Sequence, residues 1–317
     1  DLRKAGHSRS RTGPPLVPMQ PSSRQDDPYP QVASLAGHGR ASPEFELIRR
    51  AERLEEAVWR GVISAAPAAT AAKLGLRAVP VADGVALIAS EVPTLLYNRA
   101  FGFGLDRPVT VEEIDAAIAL YDRRVPFSIQ PAPASRPHNV SAWLEARGLP
   151  SYFNWVCWAR KTREATAVPT GRRIDAVGPE RAGQFADLVS QVFAEPPEVG
   201  PWFVHTVGQA GWTHYIGYEE ELPVALASLF VRNGMGWLGW GGTLATHRGR
   251  GWQSAMIARR LADAREQDCE WVTTETADDL PDQPNASFRN MARAGFRLLH
   301  RRPSHAFFPK GHDPADE

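Results

Sequence analysis

Two stretches of this chain, about a domain length apart, follow the same plan. Each reads as a long helix, a strand, a short helix closed by a glycine, and a strand. EEIDAAIALYDRR, PFSIQP, WLEARGL and NWVCWAR in the first half match QSAMIARRLADAR, EWVTTE, NMARAGF and SHAFFPK in the second. Gly148 and Gly295, which close the two short helices, lie 147 residues apart. A chain of 317 residues has room for about two domains at ~150 residues each. The repeated order therefore predicts two related α/β units, each an α+β arrangement around a mixed sheet. Residues 45–165 form the first expected unit and 171–312 the second, joined by the linker REATAVPTG. Residues 1–44 are rich in Pro, Ser, Gly and Arg without hydrophobic periodicity, the composition of a flexible tail or leader.

Local signals fill in this plan. FELIRRAERLEEAVWRGVISA places Leu47, Ala51, Leu54 and Val58 on one helical face. Asp83-Gly84 marks a turn ahead of the strand VALIASEV. Thr110 with Glu113 forms a capping box for the helix TVEEIDAAIALYDRR. In the second half RRIDAVG reads as a strand and PERAGQFADLVSQVFAE as a helix. The stretch from Thr213 to Thr246 divides into three antiparallel strands, with breaks at Glu219–Glu221 and Asn233-Gly234.

Bulk composition excludes more than it specifies. Lys+Arg and Asp+Glu both number 36, so overall charge recruits neither nucleic acid nor a membrane surface. Only Cys157 and Cys269 are present, without metal-binding spacing, which suits a reduced cytoplasmic setting and predicts no metal. No apolar run approaches the ~20 residues of a membrane span. The ten tryptophans are read chiefly as core.

One feature needs a ligand to make sense. In RGRGWQSAMIARRLADA, Gly249 and Gly251 alternate with Arg248 and Arg250 directly ahead of a helix. Glycine is a poor helix former, but it lets a ligand approach the unpaired N–H groups of a first turn, where the helix dipole favours an anion. No Lys-Ser/Thr follows, as in a nucleotide-triphosphate loop, and no GxGxxG is present. The matching helix of the first half opens instead with Glu112, Glu113 and Asp115, which would repel a diphosphate. Only the second unit should bind an anion there.

These residues resemble a known family. THRGRGWQSAMIARRLADA is similar to the acetyl-CoA signature Q/R-x-x-G-x-G/A of the GNAT N-acetyltransferases, with Arg248 first, Gly251 fourth and Gln253 in place of the sixth-position Gly or Ala. NASFRNMARAGF resembles the later family helix that ends in Gly-Phe. The resemblance spans about 172–310, and the first half resembles the degenerate N-terminal copy of tandem members.

The resemblance implies a cofactor and its contacts. Acetyl-CoA would lie between two splayed strands. Its pyrophosphate would sit on the amides of Gly249, Arg250, Gly251, Trp252, Gln253 and Ser254, and its pantetheine along Leu244 and Ala245. Asn285 and Asn290 are further candidates for the cofactor, or helix caps. Glu275 is the first candidate for general base, and Ser287 one for proton donor. The position where many relatives carry a tyrosine is Met291, which has no proton to give.

Trp202, Phe203 and Trp212 fall where the acceptor wall is expected and favour an apolar substrate. The implied activity is transfer of an acetyl group to a small primary amine by direct attack. The alternative is an acyl-CoA-binding regulatory or sensor protein without catalysis. Homodimerisation is open on the sequence.

Overall fold

A computed structural model describes residues 42–164, 171–193, 202–281 and 283–312. The first helix, α1 (Pro43–Ala65), begins inside the stretch expected to be tail, because Ser42 accepts the Phe45 N–H and Pro43 takes the first helical position. Residues 1–41 and most of the linker lie outside the described residues. Helix α2 (Ala68–Leu74) ends on Gly75, and β1 (Leu76–Val81) and β2 (Gly84–Ala89) form the hairpin whose turn holds Asp83. The first unit continues with β3 (Arg99–Phe101), α3 (Val111–Ala119), β4 (Phe127–Gln130), α4 (Val140–Glu145) and β5 (Ser151–Lys161).

The second unit opens with β6 (Arg173–Ala176) and α5 (Ala182–Phe193), then the meander β7 (Trp212–Glu219), β8 (Leu222–Arg232) and β9 (Met235–Thr243). It closes with α6 (Trp252–Glu266), β10 (Trp271–Ala277), α7 (Ala286–Arg293) and β11 (Arg297–Phe307). The predicted turns hold: Glu220 and Asn233 both have positive φ, and Gly148 and Gly295 both end their helices at φ 75°. Sequence reasoning missed β1, α2 and β3, short elements whose apolar residues carry no clear period.

The eleven strands of the described residues join one sheet, in the order β1-β2-β3-β4-β11-β5-β10-β9-β8-β7-β6. Each unit has one parallel pair, β3 with β4 across α3 and β9 with β10 across α6. The last strands are exchanged: β5 of the first unit lies against β10 of the second, and β11 of the second against β4 of the first. The exchange welds the two repeats into one sheet, with β5 and β11 paired at its centre.

On one face, α1 and α5 share a core with residues such as Trp59, Phe185 and Trp202. On the opposite face of the second unit, α6 and α7 pack around Trp252, Met256 and Met291. Among the described residues, no helix is long and apolar enough to cross a membrane.

Candidate active site

Strands β9 and β10 run paired from Met235–Trp271 to Leu238–Thr274 and then part. β9 continues to Thr243 and β10 to Ala277, so the sheet forks. The fork is forced by a bulge. Between the pairs Ser228–Gly239 and Leu226–Gly242, β9 spends one residue more than β8. Trp240, within the bulge, is held at φ 44°, a costly conformation for a tryptophan and one typical of sites built for a ligand.

A cleft of about 250 Å³ opens at the fork. Alternation along β10 gives it two faces. Thr274 and Thr276 point toward α6 and α7, where Gln253, Arg260, Ser287 and Met291 complete the wall. Glu275 points the other way, toward α1 and α5, beside Trp59, Tyr97, Phe203, Trp237 and Trp240. Arg260 is almost fully buried, its Nε bonded to the Met256 carbonyl and its Nη1 to those of Ser228 and Gly239. Among the described residues it has no ion-pair partner, and burial lowers its pKa to about 10.

The start of α6 faces the same opening. Gly251 is the N-cap at φ 81° and offers no side-chain cap, and no acidic residue occupies the first turn. Gly249, at φ 74°, has nothing within 4 Å of the point where a Cβ would stand. Three arginines surround this helix start, Arg172 Nη2 lying 3.9 Å from where a Gly251 Cβ would stand. Arg250 pairs with Glu219 at 2.9 Å, and Arg172 stacks 4.4 Å over Trp252 while bonding the Arg250 carbonyl. Arg248 reaches the Thr243 carbonyl at 3.4 Å.

Beneath Glu275 lies a buried ionic lattice joining the units. Arg302 of β11 grips Glu52 with two bonds of 2.9 and 2.8 Å, contacts Glu55 at 3.2 Å, and pairs closely with Glu275. Arg99 of β3 adds contacts of 3.1 Å to Glu55 and 3.5 Å to Glu275. Three carboxylates thus face two guanidiniums. Burial, with Glu275 alongside, outweighs the pull of Arg302 and raises Glu55 to about 8. For Glu275 burial raises the pKa, but Arg302 and the bond to Glu55 prevail and hold it below the usual carboxylate range. Glu52, Cys157 and His300 bring ligand-type atoms within 4.8 Å of one another, a grouping no linear spacing reveals. The two bonds from Arg302 already occupy Glu52 there.

No protein-family model matches this sequence, and no curated protein does. Solved structures do. A GCN5-related N-acetyltransferase from Kribbella flavida superposes over 77% of this chain and 95% of its own, with a TM-score of 0.55 and 17% identity. A functionally unknown conserved protein from Staphylococcus epidermidis covers 74% of this chain and 94% of its own, with a TM-score of 0.53 and 12% identity. The chain has a GNAT fold. At these identities the likeness is one of architecture, and function has to be argued from the site.

Within the GNAT fold, the predicted residues divide clearly. The backbone of Gly249–Ser254 leads into the uncapped start of α6, and the Gln253 side chain lines the cleft. The Trp252 ring is buried core against Gly217, leaving only its backbone for a ligand.

Leu244 and Ala245 need correction. The Leu244 N–H is spent on the Val224 carbonyl, and Ala245 starts a 3-10 turn, so the strand edge freed by the fork is Gly239–Thr243 instead. Asn285 and Asn290, candidates for the cofactor or for helix caps, both have local partners. Asn285 caps α7 through the Ser287 and Phe288 N–H groups and donates to the Ala277 carbonyl, whereas Asn290 accepts from Arg293 and does not line the cleft.

Glu275 and Ser287 both line the cleft, on opposite faces. Glu275 lies mid-strand in the lattice, rather than free at a strand end. Of the expected acceptor wall, only Phe203 lines the cleft; Trp202 is buried with its Nε1 on the Val62 carbonyl, and Trp212 stacks behind Trp240. Sequence reasoning missed Trp59, Tyr97, Arg99 and Trp155, first-unit residues brought by α1, by the segment entering β3 and by the exchanged strand β5. His305 is packed, as a lone histidine on a closing strand is expected to be.

Proposed function

We propose that the chain is an acetyl-CoA-dependent N-acetyltransferase acting on the primary amine of a small molecule by direct attack. The observation that carries this reading is the forked pair β9–β10 opening beside an uncapped helix start, both in the second unit. The residues fit the cofactor: unpaired first-turn amides with glycine access suit a diphosphate, and the β9 edge parted from β10, between the Gly239 and Thr243 carbonyls that Arg260 and Arg248 engage, suits an amide-bearing chain. When bound, acetyl-CoA supplies a thioester carbonyl for an amine to attack.

This chain's own groups then divide the work. Glu275 on the acceptor face, kept ionised by Arg302 despite its burial, takes a proton from the amine. Arg260, a buried cation on the cofactor face, favours negative charge on departing sulfur. Ser287 can relay a proton where Met291 cannot. Cys157 lies behind Glu275 and does not line the cleft, which supports direct attack over an acyl-cysteine.

A thiol-release assay with acetyl-CoA and a panel of primary amines tests the proposal: an amine that accelerates CoA release supports it. The clamping of Glu275 by Arg302 favours a second reading, an acyl-CoA-binding sensor. CoA binding without release across the panel would select that reading.

A further inference from the structure

The acceptor face of the cleft is specific about charge. Its walls are Trp59 of α1, Tyr97, Phe203, Trp237 and Trp240. Trp240 is the hub, with ring centroids 4.3 Å from Phe203, 5.5 Å from Trp237 and 6.0 Å from Trp59. Two charged side chains line this face. Arg99 is fully buried, bonded to Glu55 at 3.1 Å, 3.5 Å from Glu275 and 4.8 Å over the Trp59 ring, while its Nε and Nη1 have no hydrogen-bond partner among the described residues. Glu275 keeps 11% of its side chain exposed. The one accessible charge on the acceptor face, among the described residues, is therefore a carboxylate ringed by aromatic faces.

Resting on the acetyltransferase reading, we propose that the acceptor is a small monoamine with an aromatic or apolar body and no carboxylate, its nitrogen set against Glu275 inside the ring box. Ring faces and a carboxylate both attract an ammonium, and a second carboxylate would meet Glu275 at close range in a poorly solvated chamber. A cleft of about 250 Å³ also leaves little room for a peptide or a sugar chain. The chemistry balances. The ammonium gives one proton to Glu275, the free amine forms the C–N bond as the C–S bond breaks, and the second proton leaves with CoA as its thiol.

The test uses the full chain saturated with CoA and reads tryptophan fluorescence on adding phenethylamine, phenylalanine, 2-phenylethanol or glucosamine. Thiol release is followed in parallel with acetyl-CoA. Phenethylamine is expected to bind about tenfold or more tighter than the other three, the size of one cation–π or ion-pair contribution. Glu275→Gln should erase the preference of amine over alcohol, while Trp240→Ala should weaken both.

Should Glu275→Gln fail to fold, the wild-type ranking still decides. Phenylalanine or glucosamine binding as tightly as phenethylamine, or no probe binding at all, overturns the inference. The two proposals fail separately. Selective binding of phenethylamine without thiol release sinks the transferase reading alone. Release driven best by phenylalanine sinks this inference alone.

Discussion

The two parallel-strand crossovers of this protein share a backbone plan and differ in what fills their gaps. In the second unit, β9 and β10 part after Leu238–Thr274 and stay apart. In the first, the chain beyond β3 and β4 is laced shut: Arg136 N–H donates to the Gly104 carbonyl at 2.9 Å, Val109 N–H to that of Arg136, and the Ser135 hydroxyl to that of Phe103. Asp83 there accepts the N–H groups of Gly104, Leu105 and Asp106 at 2.6, 2.9 and 2.7 Å. The helix starts differ in the same sense. α3 satisfies its own amides through the reciprocal Thr110–Glu113 box, and α6 has no side-chain cap.

The same fold thus fills one helix start with its own acidic side chains and leaves the other open, the contrast on which the proposed anion site rests. The closed unit is not idle. It contributes Trp59, Tyr97 and Arg99 to the cleft and Glu55 to the ionic lattice behind it, across the joint that the exchanged strands make.

That contrast can be broken at the joint first. Arg302→Ala should cost about 3–5 kcal/mol, because it leaves buried carboxylates uncompensated. Urea unfolding measures it, and a loss under 1 kcal/mol would mean the lattice does not hold the units together. Next comes a reciprocal pair. Gly251→Glu should weaken CoA binding by about tenfold or more, by setting a carboxylate where the pyrophosphate is expected. Gly104→Ala should leave CoA affinity unchanged and cost about 1–3 kcal/mol of stability, since φ is 77° and its Cβ would stand 2.9 Å from Arg136 backbone atoms. Calorimetric titration of both variants would expose any exchange of these roles.

A pH test follows. Glu55 is held at about 8, against an ordinary value of 4.5. The native state therefore binds more protons than the unfolded state between these values, so stability should fall as pH rises through that window. Glu55→Gln should flatten the slope, as read from melting temperatures at pH 5 and pH 8; an unchanged slope would assign it elsewhere. Smallest is Thr110→Ala, which should cost about 1 kcal/mol through loss of a cap, with CoA binding untouched.

Much of the second unit was legible because its signals are local. A Gly/Arg turn ahead of a helix, an Asn-Gly hairpin and the helix-closing glycines act within a few residues of themselves. The repeat likewise announced the matching elements, down to Gly148 and Gly295. What stayed hidden is long-range. No local rule shows that β5 and β11 change places, so none could bring Glu55 and Trp59 beside Glu275, more than two hundred residues away. The same gap explains the corrections. Leu244 was implied by the family resemblance, but the bulge at Trp240 sets the open edge nearer Gly239. Asn285 was open between cofactor contact and helix cap, and its side chain caps α7.

The central claim is tested most directly by a crystal structure of the full chain grown with coenzyme A. One molecule per chain, with its diphosphate against the backbone of Gly249–Ser254 and its thiol end within the β9–β10 fork, is the predicted result. Coenzyme A seated at the start of α3, or absent at saturating concentration, would contradict the account.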